Sequence, residues 1–203
     1  FSLTDFRKAV SDGVQIKKRW LASPFDERSI IFHKSTIKRM RGDVMASMLK
    51  HNVGLVLVRQ AVTPTWQHVF VAKTIISDTA LSANSREYNS IFPLRLFAQE
   101  ELQLGLDYAS INNLDWYPHL EKNPDKRFQI FGKSVSQSFR SFCYIYAVLF
   151  SQKYRNRYFE FLKIDWPRIP TNCSDELFFE LSDLGKCLIS AHLNESSIEI
   201  SDA

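Results

Sequence analysis

Lys34-Ser35-Thr36-Ile37-Lys38-Arg39-Met40-Arg41 places four cations in eight residues. Lys34, Lys38, Arg39 and Arg41, interleaved with two hydroxyls, are the side-chain types that neutralise and hydrogen-bond phosphate oxygens. A second set follows the apolar run Leu55–Val58: Arg59-Gln60 at its end, Thr65 and Gln67 in a loop broken by Pro64, and Arg86 beside Asn84 in the next polar stretch. Arginine pairs with guanine edges, glutamine with adenine, and hydroxyls with either. Trp66 and His68 share the Pro64 loop, and an indole there is better read as packing than as an intercalating wedge. Each of these side chains competes with the plain reading of a solvated surface residue. Arg39 and Arg59 are the strongest individual candidates.

Other chemistries fit less well. Asp26, Glu27 and Lys34 contain the residue types of a metal-dependent nuclease, but adjacent residues of a strand point to opposite faces and make a poor clamp. His33, His51, His68, His119 and His192 have neither HxH nor HxxxH spacing. Cys143, Cys173 and Cys187 form no CxxC pair, so neither a metal site nor a disulfide framework is expected, and free thiols in a reducing cytoplasm are. The chain has no GxxxxGK[ST] phosphate loop and no GxSxG elbow. Asn123-Pro124-Asp125 lacks the second proline and the aromatic residue of an amino-methyltransferase loop, and the 6 glycines are scattered. This chain is therefore expected to hold no cofactor of its own.

Charge is unevenly spread. Residues 1–60 carry 12 Lys and Arg against 5 Asp and Glu, a net of +7, whereas residues 61–203 carry 14 against 17, a net of −3. A basic front and a mildly acidic back predict one face for a polyanion and another for protein. With 203 residues, 45% of them hydrophobic and 16 of them Phe, the chain can bury a thick aromatic core. No apolar run is long enough for a transmembrane helix. Phe1 opens no signal peptide, since Asp5, Arg7 and Lys8 interrupt it, and the expectation is a piece of a longer polypeptide.

The elements that must carry these residues follow from spacing. A short helix is expected over residues 3–10, then a half-exposed strand from Val14 to Leu21 with cations outward. Phe25-Asp26-Glu27-Arg28 reads as a turn in which Asp26 accepts backbone hydrogen bonds. Strands over Ser29–His33 and Leu55–Val58 flank the basic cluster and a helix whose inner side carries Val44 and Met48, presenting a cationic edge. His68–Ile76 reads as one strand, and Tyr88–Phe97 as another, with Pro93 demanding an edge or a bulge. This is an α/β (α+β) pattern: a mixed, bent sheet or partial barrel followed by a C-terminal helical part. The expected division is a recognition part over 1–98 and a mainly helical packing part over 99–203. In the latter, a short helix over Gln99–Leu106 and an irregular excursion over Asp107–Phe131 precede a long helix running to about Leu162. Its polar side carries Lys153, Arg155, Arg157 and Glu160. IDWPRIP must be extended, and Ser174 opens a last helix whose Leu177, Leu181, Leu184 and Leu188 share one face. Residues 194–203 read as a polar tail.

Several stretches in this order resemble one family. SPFDER before an apolar run, IKRMRGDVM, GLVLVRQ, WQHVFVAKTIISDTALS, IFPLRLF, YIYAVLFSQKYRNRYFEFLKIDWPRIP and ELFFELSDLGKCLISAHL look like the specificity domain of type ISP restriction-modification enzymes. Those are large single-chain bacterial enzymes with nuclease, helicase, adenine methyltransferase and target-recognition parts. The resemblance implies double-stranded DNA as partner, with base and backbone contacts from the region in which the residues themselves single out Lys34, Lys38, Arg39, Arg41, Arg59, Gln60, Thr65, Gln67 and Arg86. It also implies the methyltransferase domain of the same polypeptide as a second partner, binding S-adenosylmethionine outside this chain, and no membrane. The competing class is a protein-docking module, in which the aromatic helices bind a partner and the basic stretch is incidental.

Overall fold

The computed structural model describes residues 3–11, 17–33, 37, 42–97 and 138–194. Along the chain run α1 (Leu3–Ser11), β1 (Lys17–Ser23), β2 (Asp26–Ile31), α2 (Gly42–Met48), β3 (Gly54–Val58), β4 (Val69–Ala72), β5 (Ile75–Ile76) and β6 (Asn89–Pro93). Among the described residues four helical segments follow: α3 (Ser138–Phe150), α4 (Gln152–Arg157), α5 (Phe159–Leu162) and α6 (Asp175–His192). The class is the expected mixed α/β arrangement with helices at its C-terminal side.

Among the described residues the strands form two small sheets, ordered β2-β1-β5 and β4-β3-β6. β1 and β2 are an antiparallel hairpin, β5 joins β1 in parallel, and β3 pairs antiparallel with both β4 and β6. The two strands expected to flank the basic cluster as a common edge therefore belong to different sheets. The single strand expected over His68–Ile76 is also divided. It breaks at Lys73-Thr74, so that Val69–Ala72 pairs with β3 and Ile75–Ile76 with β1. Pro93 ends the edge strand β6, where its missing N–H removes no central ladder bond.

All five residues of β3 are buried, because both its faces are covered. Val56, with Phe70 and Ile91 from its neighbours, packs against Leu21, Met48, Ile75 and Ile76 on the hairpin side. Leu55 and Leu57, with Val69 and Val71, pack against Phe139, Phe142, Tyr146, Leu149, Phe178 and Ile189 on the helical side. One core thus runs from the sheet into both α3 and α6.

The hairpin turn lies at Pro24-Phe25, and Asp26 already belongs to β2. Asp26 accepts from the Arg28 guanidinium at 3.0 Å rather than from backbone N–H groups, which corrects the expected turn. Phe25 takes the left-handed conformation with φ 64° and sets its ring 5.2 Å from that of Phe70.

The helical part departs from expectation in two ways. The expected long helix ends at Phe150, where Ser151 caps a new helix by accepting from Tyr154 N at 3.4 Å. The Arg155 Nε donates to Leu149 O at 2.7 Å, satisfying a carbonyl at the end of α3. Arg155 is accordingly half-buried, not on a polar outer side. In α6 the cap is as expected, with Ser174 Oγ accepting from Leu177 N at 3.3 Å and Asp175 and Glu176 in the first turn. Its buried face is shifted from the expected one: Phe178, Ser182, Gly185 and Ile189 face the core, Leu181 and Leu188 pack against it partly buried, and Leu177 and Leu184 stay 44% and 59% exposed. Serine and glycine occupy the middle of that face because α3 lies too close there for larger residues. A Cβ on Gly185 would stand 2.0 Å from the Cys143 carbonyl oxygen. The expectations for Val14–Ile16, Gln99–Leu106, Asp107–Phe131 and the residues after Asn194 lie outside the described residues.

Candidate nucleic-acid interface

β3 leaves the core at Val58, which is fully buried, and the next two residues, Arg59 and Gln60, are exposed. From there to His68 the chain has no ladder partner among the described residues, yet it is held at both ends. At its start three bonds reach the turn after α5. Ala61 N donates to Lys163 O at 3.1 Å, Gln60 Nε2 to Ile164 O at 3.4 Å, and Arg59 Nε to Asp165 Oδ1 at 3.2 Å. Further along, Glu87 Oε1 accepts from Val62 N at 2.6 Å and from Thr63 N at 2.8 Å. The other oxygen, Oε2, accepts from Ser82 Oγ and lies 3.3 Å from His68 Nε2. Trp66 is buried against this assembly, and the Arg155 guanidinium lies 5.7 Å from its ring centre. Val62, Pro64, Thr65 and Gln67 are left exposed on the outside of the loop.

The Glu87 side chain is fully buried, and burial by itself opposes its ionisation. The hydrogen bonds from Ser82, Thr63 and Val62, with His68 beside it, outweigh that cost and hold its pKa down to about 2. Burial pulls His68 below the usual histidine range despite the neighbouring carboxylate, with Arg155 adding to the effect. Neutral His68 with its proton on Nε2 donates to Glu87, and Nδ1 has no partner among the described residues. Ser82, Glu87 and His68 do not make a hydrolytic triad. The carboxylate stands between the serine and the histidine, so the imidazole is not placed to take the serine proton.

The same residue joins the loop to a second exposed turn, its carboxylate through Ser82 and its backbone through Asn84. Asn84 O accepts from Glu87 N at 2.9 Å, and Asn84 Oδ1 accepts from Arg86 N at 3.0 Å. Arg59, Gln60, Thr65 and Gln67 on one loop and Arg86 on the next are thus brought onto a single hydrogen-bonded support. Lys34, Lys38, Arg39 and Arg41 lie outside the described residues. On the β1–β2 hairpin, Arg19 pairs with Glu27 at 2.5 Å and Arg28 with Asp26, so two of its cations are already met by carboxylates.

Sequence reasoning did not find Glu87, Asp165, Arg155 or the Lys163–Ile164 turn as parts of this support. Asp165 and Ile164 sit 106 and 104 residues from their partners, a separation no local pattern reports. A single acid between Arg86 and Tyr88 gives no signal either, although an acid in a segment leading into an apolar strand is a place to look.

A family profile for the Type ISP C-terminal specificity domain matches residues 7–202. The chain belongs to that family. The specificity domain also shares its fold with three solved structures. It has a TM-score of 0.62 and 20% identity to the DrdV–DNA complex, covering 88% of this chain and 16% of that one. A nuclease-deletion mutant of the Type ISP restriction-modification enzyme LlaGI, in complex with a DNA substrate mimic, gives 0.60 and 15% over 93% of this chain and 15% of that one. The ATP-dependent Type ISP restriction-modification enzyme LlaBIII bound to DNA gives 0.60 and 15% over 100% of this chain and 13% of that one. The specificity domain therefore spans a small fraction of those polypeptides. A comparison with curated proteins finds no match.

Among the described residues no group of three or more His, Cys, Asp and Glu could hold a metal ion. No helix there is long and apolar enough to cross a membrane. The three cysteines are free, and burial pushes the Cys143 thiol well up, away from reactivity.

Proposed function

We propose that this specificity domain recognises double-stranded DNA for a Type ISP restriction-modification polypeptide. The observation that carries the reading is the loop from Arg59 to Gln67, which exposes arginine, glutamine and hydroxyl side chains from a backbone pinned at both ends. Rigid presentation of those groups suits base-edge readout, because little ordering entropy is lost on contact. Lysine and arginine side chains, including Lys34, Lys38, Arg39 and Arg41, supply the phosphate contacts by displacing counterions. Residues 1–98 carry the reading groups and residues 99–203 support them. The exposed Arg59–Asp165 pair is one that a phosphate could open, with the carboxylate holding the guanidinium in place until then.

Catalysis belongs elsewhere in the longer polypeptide. Its methyltransferase domain would bind S-adenosylmethionine and act on a flipped adenine, and the assembly would work in the bacterial cytoplasm. The outer face of α6 favours docking on that domain. Leu177 and Leu184 are exposed there between Glu176, Glu180 and Asp183, which asks for an apolar, basic counterpart.

Duplex binding measured against salt tests the reading. Affinity for a random duplex is expected to fall steeply as salt rises, and an Arg59→Ala/Arg86→Ala double variant is expected to bind more weakly with a shallower salt slope. Binding that ignores both salt and the double variant would remove the assignment.

A further inference from the structure

We propose that Glu87 is the positioning residue for sequence readout, holding the Arg59–Gln67 loop and the Arg86 turn as one rigid reading unit. The inference rests on the DNA-recognition reading above and adds the part of the chain on which specificity, as distinct from affinity, depends. Glu87 is 1% exposed and so touches no DNA itself. Its Oε1 takes the N–H groups of Val62 and Thr63 at 2.6 and 2.8 Å, its Oε2 takes Ser82 Oγ and faces His68 Nε2, and its own N–H is bound by Asn84 O at 2.9 Å. Two consecutive amides gripped by one oxygen fix the backbone immediately before Pro64, and with it the direction of the exposed Thr65 and Gln67 side chains. On the other side Ser82 Oγ, held by Oε2, accepts from Asn84 N at 3.1 Å and Asn84 Oδ1 accepts from Arg86 N at 3.0 Å, so the carboxylate also steadies the Arg86 turn.

Phosphate contacts tolerate displacement, since a cation attracts a polyanion over several ångströms. Base-edge contacts do not, because a hydrogen bond weakens steeply once distance or angle departs from its narrow range. Removing the Glu87 carboxylate therefore separates the two. The loop keeps its charges but loses its register, so binding to any duplex persists while discrimination between duplexes fails. His68 contributes by staying neutral and donating to Oε2, which keeps the carboxylate turned so that Oε1 faces the loop.

The test uses the full-length polypeptide that carries this chain, as wild type, Glu87→Ala and Glu87→Gln, equilibrated with a pool of random-sequence duplexes from which bound molecules are sequenced. The wild type is expected to enrich one motif. Glu87→Ala is expected to bind the pool with unchanged salt dependence but to enrich that motif roughly tenfold less, the discrimination carried by one good base contact. Glu87→Gln still offers a carbonyl oxygen to Val62 and Thr63 and is expected to recover most of the enrichment. A purely structural role predicts a lower melting temperature with the motif unchanged, and that result for Glu87→Ala overturns the proposal. Glu87→Gln performing no better than Glu87→Ala overturns it too. A wild type that binds but enriches nothing sinks the recognition reading and this inference with it. Amide exchange on the wild type keeps the proposal falsifiable if Glu87→Ala does not fold. Val62 and Thr63 are expected to exchange as slowly as β3, and exchange at exposed-loop rates refutes the staple without any variant.

Discussion

Gly185→Ala sets two effects of opposite sign against each other. Alanine is favoured over glycine inside a helix by roughly 1 kcal/mol, so propensity alone predicts a more stable protein. Packing predicts the reverse. The added Cβ would lie 2.0 Å from Cys143 O, 2.6 Å from its carbonyl carbon and 3.1 Å from its Cα, all backbone atoms that no rotamer change can move. Ordinary contact needs roughly 3.3 Å or more between carbon and oxygen, so α3 and α6 must separate by more than about 1 Å. A gap of 0.5–1 Å forfeits about a quarter to a half of the dispersion attraction across it. That gap would open between Phe142 and Tyr146 on one side and Phe178 and Ile189 on the other, the centre of the main core. Overpacking of this kind costs roughly 1–3 kcal/mol and occasionally more; backbone against backbone belongs at or above the upper end. After the propensity gain, a net loss of about 2–3 kcal/mol is expected, or a melting temperature lower by about 5–10 °C for a chain of this size. Urea and thermal unfolding followed by circular dichroism give the number. Unchanged or increased stability would mean that the helices part without penalty, and the account of the α6 face would be refuted.

Stability should also depend on pH in two separate windows. Burial keeps His68 and His192 below the usual histidine range, so the unfolded chain takes up their protons first, and stability should decline as pH falls below about 6.5. Glu87, held down to about 2, contributes stability that is complete above its unfolded value of 4.5 and is lost between there and about 2, on the order of 3 kcal/mol. Urea midpoints across pH should show both limbs, and Glu87→Gln should abolish the acidic one alone. Asp165→Asn frees the Arg59 guanidinium and should tighten binding to any duplex a few-fold at low salt, an effect that fluorescence anisotropy should find vanishing at high salt. The Arg59→Ala/Arg86→Ala double variant should lower the slope of log affinity against log salt by up to about 2 if each arginine also neutralises a phosphate; an unchanged slope would show that neither does.

Much of the candidate site was legible in the chain. Arg59 and Gln60 follow an uninterrupted apolar run, and such a run is buried on both faces, so its end must emerge at a surface. Pro64 excludes regular structure around Thr65 and Gln67. What holds these residues was not legible. Glu87 reaches Val62 and Thr63 across 25 and 24 positions, and Asp165 reaches Arg59 across 106. Neither partner belongs to a periodic pattern. The leucines of α6 illustrate a partial failure: Leu181 and Leu188 pack against the core but Leu177 and Leu184 do not, because glycine and serine carry no hydrophobic signal yet allow the closest approach.

Local physics, acting over a few residues, therefore settled which segments are strands or helices, where Ser174 starts α6, and which polar side chains stand at the exit of a buried strand. Family membership was also readable in the order of stretches along the chain. Tertiary structure alone decided that the first-half strands divide into two sheets, that α6 buries the face holding Ser182 and Gly185, and that a hidden carboxylate ties two exposed loops together. Those outcomes depend on the fit between surfaces far apart in sequence, and backbone distance in space, unlike side-chain type, is not written at any single position.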